Sequence, residues 1–135
     1  MIREATMDDV LTVVDWVERL REAVDGLMPV SRPWTAQVVA GLIQSPQALV
    51  LISGDQVRGG FLAGSMQPTV VNPGQVAMEH GWHANDGSGL RMLRRFEKWA
   101  AEHGAIMIRM STGVSGPDLA RLGYTMTERS WVKQV

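Results

Sequence analysis

Val10, Val13, Val14, Val17, Leu20 and Val24 recur at three- and four-residue spacing, with Asp15, Glu18, Arg19 and Arg21 between them. That is the pattern of a half-buried helix. Thr6-Met7-Asp8-Asp9 sets a hydroxyl cap and two acids ahead of the run, which places its start, and Gly26 marks its end. Residues Ile2 to Ala5 are short and mixed. Pro29 and Pro33 bracket an irregular stretch, after which Thr35 caps a shorter helix through Val38, Val39, Leu42 and Ile43 that ends before Pro46. Ala48 to Ser53 is rich in branched aliphatics and stops at Gly54-Asp55, so it reads as a buried strand and a hairpin turn. The return strand begins near Val57 and carries Gly59, Gly60 and Gly64; Pro68 and Asn72-Pro73-Gly74 form the next loop.

A third strand is expected from Gln75 to about His83, followed by Asn85-Asp86-Gly87-Ser88-Gly89 opening a long helix. Leu90, Leu93, Phe96, Trp99 and Ala100 make its apolar face, with Gly104 at the C-terminal stop. Ile106, Met107, Ile108 and Met110 then predict a buried strand over Ala105 to Ser111, which completes a strand–helix–strand unit with a parallel pair. A short helix over Pro117 to Leu122 and a last strand from about Thr125 to Val132 end the pattern. No internal repeat interrupts it.

At 135 residues and 14.8 kDa the chain is one α/β domain, because a second core would leave each half too small to bury itself. Thirteen Lys and Arg against fourteen Asp and Glu give a net charge of -1, which argues against a strongly basic nucleic-acid face. Cysteine is absent, which excludes disulfides, thiolate metal sites and acyl-cysteine chemistry. No apolar run is long enough for a bilayer and no signal-peptide segment stands at the start, so a cytoplasmic protein without membrane or nucleic-acid partners is expected.

A strand that passes through glycines into a helix presents unpaired amides and the positive end of the helix dipole, an arrangement suited to an anion. Gly87-Ser88-Gly89-Leu90-Arg91-Met92 lacks the third glycine of the dinucleotide fingerprint, and no P-loop signature follows. Structural punctuation by glycine is the plain alternative. Arg91 lies in the first turn, where a cation opposes the dipole, a placement easier to understand beside a bound anion.

From Glu79 to Gly104 the chain resembles the acyl-CoA-binding core of the GNAT family of N-acetyltransferases. Ala84-Asn85-Asp86-Gly87-Ser88-Gly89 occupies the family's Gln/Arg-x-x-Gly-x-Gly/Ala loop, Met92-Leu93 its Leu-Leu pair, and Leu122-Gly123-Tyr124 its Leu-Gly-aromatic segment. The resemblance implies a mixed, mostly antiparallel central sheet with a splayed parallel strand pair and helices on both faces. It implies acetyl-CoA as cosubstrate, contacted by Trp82, His83, Asn85, Asp86, Gly87, Ser88, Gly89, Leu90 and Arg91. The acceptor would be a primary amine, on a small molecule or a protein, entering between the loop around Gly26 to Trp34 and the C-terminal strands. A homodimer through the last strands, near Trp131, is a further implication, as is kinship with small bacterial or phage members. The chain departs from the pattern at Ala84, in a loop about two residues short, and at Leu119, which stands where the family often has a tyrosine acid.

Amine attack on a thioester needs a base, an oxyanion donor and a proton for the leaving thiolate. Gly81 suits a bulged strand that aims a backbone amide, such as that of Trp82, at the carbonyl. Glu79 is the first candidate base, directly or through water, and His80 the second; adjacent strand positions put them on opposite faces. Three-residue spacing likewise puts the His80 and His83 rings on opposite faces, which disfavours a metal site. Glu128 lies near the expected acceptor groove or simply on the surface. A GNAT-like module without catalysis is the alternative function, and an unrelated anion-binding α/β domain a more remote one.

Overall fold

The computed structural model describes residues 1–135. Five strands form one sheet in the order β1 (Ile2–Glu4), β2 (Ala48–Gly54), β3 (Gly59–Gln67), β4 (Val76–Ala84) and β5 (Met107–Arg109). All neighbours are antiparallel except β4 and β5, which run parallel. This is the mixed α/β sheet that the element order predicts. β1 was hidden in the sequence because three mixed residues carry no alternation; pairing with Leu51 to Ser53 makes it a strand.

The apolar stripe of α1 (Val10–Ala23) and Val39 of α2 (Arg32–Gln44) cover one face of the sheet, where Val13, Trp16, Val50, Ile52, Phe61 and Ala63 form a core. Met92, Phe96 and Ala100 of α3 (Gly89–Glu102) cover the other, against Leu49, Leu51, Leu62, Met66 and Ala77. Strand alternation sends neighbouring residues of β2 and β3 to different cores, which is why both strands read as continuous apolar runs.

Several boundaries differ from the sequence reading. α2 begins after Ser31 rather than at Thr35, because Pro33 sits in the first turn, where no amide donor is required. β3 begins at Gly59, two residues past Val57. α1 ends at Ala23, and Asp25, at φ 53°, takes the left-handed turn ahead of Gly26. The expected helix over Pro117 to Leu122 is a single 3-10 turn, Leu119–Leu122, capped by the Asp118 carboxylate. Residues 125–135 form no strand. β5 is only three residues long and the chain leaves the sheet after it; the alternating residues near Trp131 do not pair with its outer edge. No helix is long and apolar enough to cross a membrane.

Candidate active site

β4 and β5 pair over Val76–Met78 and Met107–Arg109; past Arg109 the chain leaves the sheet, so the rest of β4 has an open edge, the splay, on that side. Glu79 is the first residue past the last pair, opposite Gly64 of β3. Gly64 has no side chain because the Phe96 ring occupies that space; a Cβ there would come within 2.5 Å of it. Glu79 therefore leaves β4 on the α3 side, and its Oε1 accepts a 2.9 Å hydrogen bond from the Ser111 amide, just beyond β5. Burial raises its pKa from 4.5 to about 7, outweighing the bond from Ser111, which favours the charged form. A carboxyl that titrates near neutrality at the mouth of a splayed strand pair is equipped to exchange a proton.

The next residue makes the bulge. Gly81 pairs with Ala63 and Glu79 with Gly64, which leaves His80 without a partner in the ladder. Gly81 is required by packing: a Cβ would fall 2.7 Å from the Phe61 ring. His80 turns to the α1 and α2 side, where its Nε2 and the Ser65 hydroxyl share a 2.7 Å hydrogen bond and Gln67 donates to the same hydroxyl. Desolvation holds its pKa below the ordinary imidazole value. Glu79 and His80 do take opposite faces, as alternation requires. The two histidines do not: the extra residue of the bulge reverses the phase, and His83 comes out on the same side as His80, with its ring 5.9 Å from that of Trp16. Burial and then the charge of Arg19 lower the His83 pKa. No group of three or more His, Asp or Glu side chains is placed to hold a metal.

After the bulge, the Asn85 amide donates to the Gly59 carbonyl of β3 at 2.8 Å. Strand alternation then directs the amides of Trp82 and Ala84 to the opposite edge, toward the splay. The turn Asn85–Ser88 leads straight into α3. Gly87, at φ 82°, needs glycine, and the amides of Gly87, Gly89, Leu90 and Arg91 have no acceptor within the protein. Leu90 and Arg91 are exposed, whereas Ser88 is buried.

The remaining loop side chains hold the turn together. Asn85 accepts from the Gly59 amide and donates to the Val57 carbonyl. Asp86 accepts from the Ser53 hydroxyl at 2.6 Å and from both the amide and hydroxyl of Ser88. Burial works against its charge, but these bonds prevail and lower its pKa to about 2. The Trp82 indole donates to the Gly89 carbonyl at 3.0 Å, tying the strand to the first turn of the helix. Asn85, Asp86 and Trp82 thus shape the loop through their side chains, while the donors it leaves free are backbone amides.

Trp34 and Trp131 are both exposed, and Glu128 is exposed and paired with Arg109 of β5. Leu119 is half-buried in its 3-10 turn. Tyr124, which the sequence pattern marks without a role for its hydroxyl, donates that hydroxyl to Glu97 Oε2 at 2.9 Å. Only its place in Leu-Gly-Tyr marked it, because the α3 carboxylate that receives it lies 27 residues away. A surface cavity of about 540 Å³ lies elsewhere, among Glu4, Leu49, Arg94, Arg95, Lys98, Trp99 and Glu102.

No protein-family model matches the chain, and no curated protein matches it. Among solved structures it is similar to a predicted acetyltransferase of Clostridium acetobutylicum with acetyl-CoA, at 18% identity and a TM-score of 0.78, over 100% of this chain and 95% of that one. It is also similar to a transcriptional regulator of Bacillus halodurans, at 18% identity and a TM-score of 0.74, over 100% and 99% of the two chains. An aminoglycoside acetyltransferase from an uncultured soil metagenome, in complex with sisomicin, matches at 15% identity and a TM-score of 0.65, over 100% and 93%. The chain has the fold of the GNAT acetyltransferases throughout its length.

Proposed function

We propose that this chain transfers an acetyl group from acetyl-CoA to a primary amine by direct attack within a ternary complex. The observation that carries the reading is Glu79, a carboxyl pushed to about 7 at the point where β4 and β5 part, on a bulged strand that leads into four unpaired amides. The splay leaves room for the acyl-bearing arm, and the amides of Gly87, Gly89, Leu90 and Arg91 supply donors for the coenzyme's phosphates. Glu79 takes the proton of the amine, directly or through water. The Trp82 amide donates to the oxyanion that develops as the amine attacks. Leu119 offers no proton to the leaving thiolate, so water serves that step. Acetyl-CoA is also the ligand of the Clostridium protein with the same fold.

One observation favours the second reading, a GNAT-like module without catalysis: the ionised Asp86 sits inside the loop and occupies the Ser88 amide. Thermal unfolding with acetyl-CoA, coenzyme A and ATP separates the two. A ligand of the native state at about a hundred times its dissociation constant adds roughly 2.7 kcal/mol. Stabilisation by acetyl-CoA and coenzyme A but not ATP, followed by acetylation of amines that Glu79→Gln abolishes, is the expected result. Absence of any shift refutes the acetyltransferase reading and leaves the module.

The bare outer edge of β5, with Met107 and Ile106 exposed beside it, further supports association with a second copy. Sedimentation equilibrium tests that directly.

A further inference from the structure

The chain between β5 and Tyr124 is irregular, and its attachments are few. At its start the Ser111 amide donates to Glu79 Oε1 at 2.9 Å; at its end the Tyr124 hydroxyl donates to Glu97 Oε2 of α3, also at 2.9 Å. Between these ends the hydrogen bonds stay inside the segment: Gly116 to Gly113, Ala120 to the Asp118 carboxylate, Gly123 to Ala120 and the Tyr124 amide to Leu119. The segment crosses from one side of the sheet to the other. Gly113 lies against Val24, past the end of α1, so closely that a Cβ would come within 2.9 Å of Val24 Cγ1, while Tyr124 reaches α3 on the far face. It begins at Glu79 on β4 and ends at Glu97 on α3, with one carboxylate at each anchor. We propose that Tyr124 and Glu97 are positioning residues for Glu79, acting through this segment: the Tyr124–Glu97 bond holds the strap taut and so holds the Ser111 amide on the Glu79 carboxylate. The proposal rests on the reading of Glu79 as the base.

The second carboxylate oxygen of Glu97 is engaged by Arg94 at 2.9 Å, so the far anchor is itself oriented from both sides. Several charged groups on the surrounding elements are engaged elsewhere. Arg109 of β5 pairs with Glu128, Arg21 of α1 donates to the Met28 carbonyl, and His80 on the same strand faces Ser65. The Ser111 amide is thus the polar partner that decides where the Glu79 carboxylate points and how readily it ionises. Loosening the strap withdraws a donor from the charged form, and Glu79 then holds its proton to higher pH.

The test is a carboxyl carbon-13 NMR titration of Glu79, assigned through Glu79→Gln, in the full chain without ligand, together with hydrogen exchange at the Ser111 amide. Tyr124→Phe removes only the hydroxyl and Glu97→Ala removes its acceptor. Glu97→Gln retains an oxygen that accepts the bond and serves as the rescue. Tyr124→Phe and Glu97→Ala are expected to raise the Glu79 midpoint by about half a pH unit and speed exchange at Ser111 about tenfold, with Glu97→Gln close to the parent. If either Tyr124→Phe or Glu97→Ala fails to fold, the other against Glu97→Gln carries the comparison. An unchanged midpoint and unchanged exchange, or equal changes in the Gln and Ala variants, overturn the proposal. Because this readout needs no coenzyme, a chain that ignores acetyl-CoA yet shows the shift refutes the acetyltransferase reading alone. In an active enzyme Tyr124→Phe moves the acidic limb of the kcat profile to higher pH and leaves the KM for acetyl-CoA unchanged.

Discussion

Glu79→Gln should make the protein more stable while removing its activity, and the two effects have one cause. Burial at the splay raises the carboxyl from 4.5 to about 7, so the folded chain favours the neutral form. The folded pKa lies above the unfolded one, which means that the native state binds the extra proton. Stability therefore falls as pH rises from about 4.5 to about 7, and above that range the whole cost is felt. That displacement corresponds to about 3 kcal/mol at roughly 1.4 kcal/mol per pH unit, an upper bound because the site retains some solvent. Glutamine keeps an oxygen for the Ser111 amide and never ionises. Urea unfolding at pH 8 should show Glu79→Gln more stable by about 1 to 3 kcal/mol, and at pH 4.5 the difference should vanish. Acetyl transfer by the variant should fall by about 10²-fold or more, the scale of a lost general base. A variant no more stable than the parent at pH 8 would refute the reasoning about burial, and one that retained full activity would remove Glu79 from the chemistry.

Gly81→Ala should cost about 1 to 3 kcal/mol in urea unfolding, because the new methyl would sit 2.7 Å from the Phe61 ring inside a packed core. Asp86→Asn should destabilise by about 1 kcal/mol through loss of charge-assisted bonds to Ser53 and Ser88. Since Asp86 titrates at about 2 when folded, below an unfolded carboxyl, its contribution is present above the ordinary carboxylate range and is lost as pH falls toward 2, which acid unfolding of parent and variant checks. His80→Ala should leave kcat within about threefold of the parent while Glu79 is the base; a loss of about 10²-fold or more would transfer that role to the imidazole.

Much of this protein was legible in its pattern. The period of Val10 to Leu20 and of Leu93 to Ala100 can bury an apolar stripe only as a helix, and the alternation of β2 and β3 between two cores demands a sheet covered on both faces. The glycines after β4 announced a turn with free amides because few other residues reach the backbone angles of Gly87. Sequence also placed a glutamate and a histidine on opposite sides of one strand.

Tertiary structure decided the rest. Whether a three-residue segment is a strand depends on a partner, so β1 formed and the strand expected near Trp131 did not. The phase of β4 depends on which residue the ladder skips, and skipping His80 brought His83 to its side. The acidity of a carboxyl is set by what surrounds it. Glu79 and Asp86 are both ordinary carboxylates in the chain, yet desolvation near the splay lifts one to about 7 and three hydroxyl and amide donors hold the other at about 2. Local pattern encodes periodicity, because neighbours along the chain fix which face is apolar; proton affinity and strand pairing come from residues distant in sequence, which only the fold brings together.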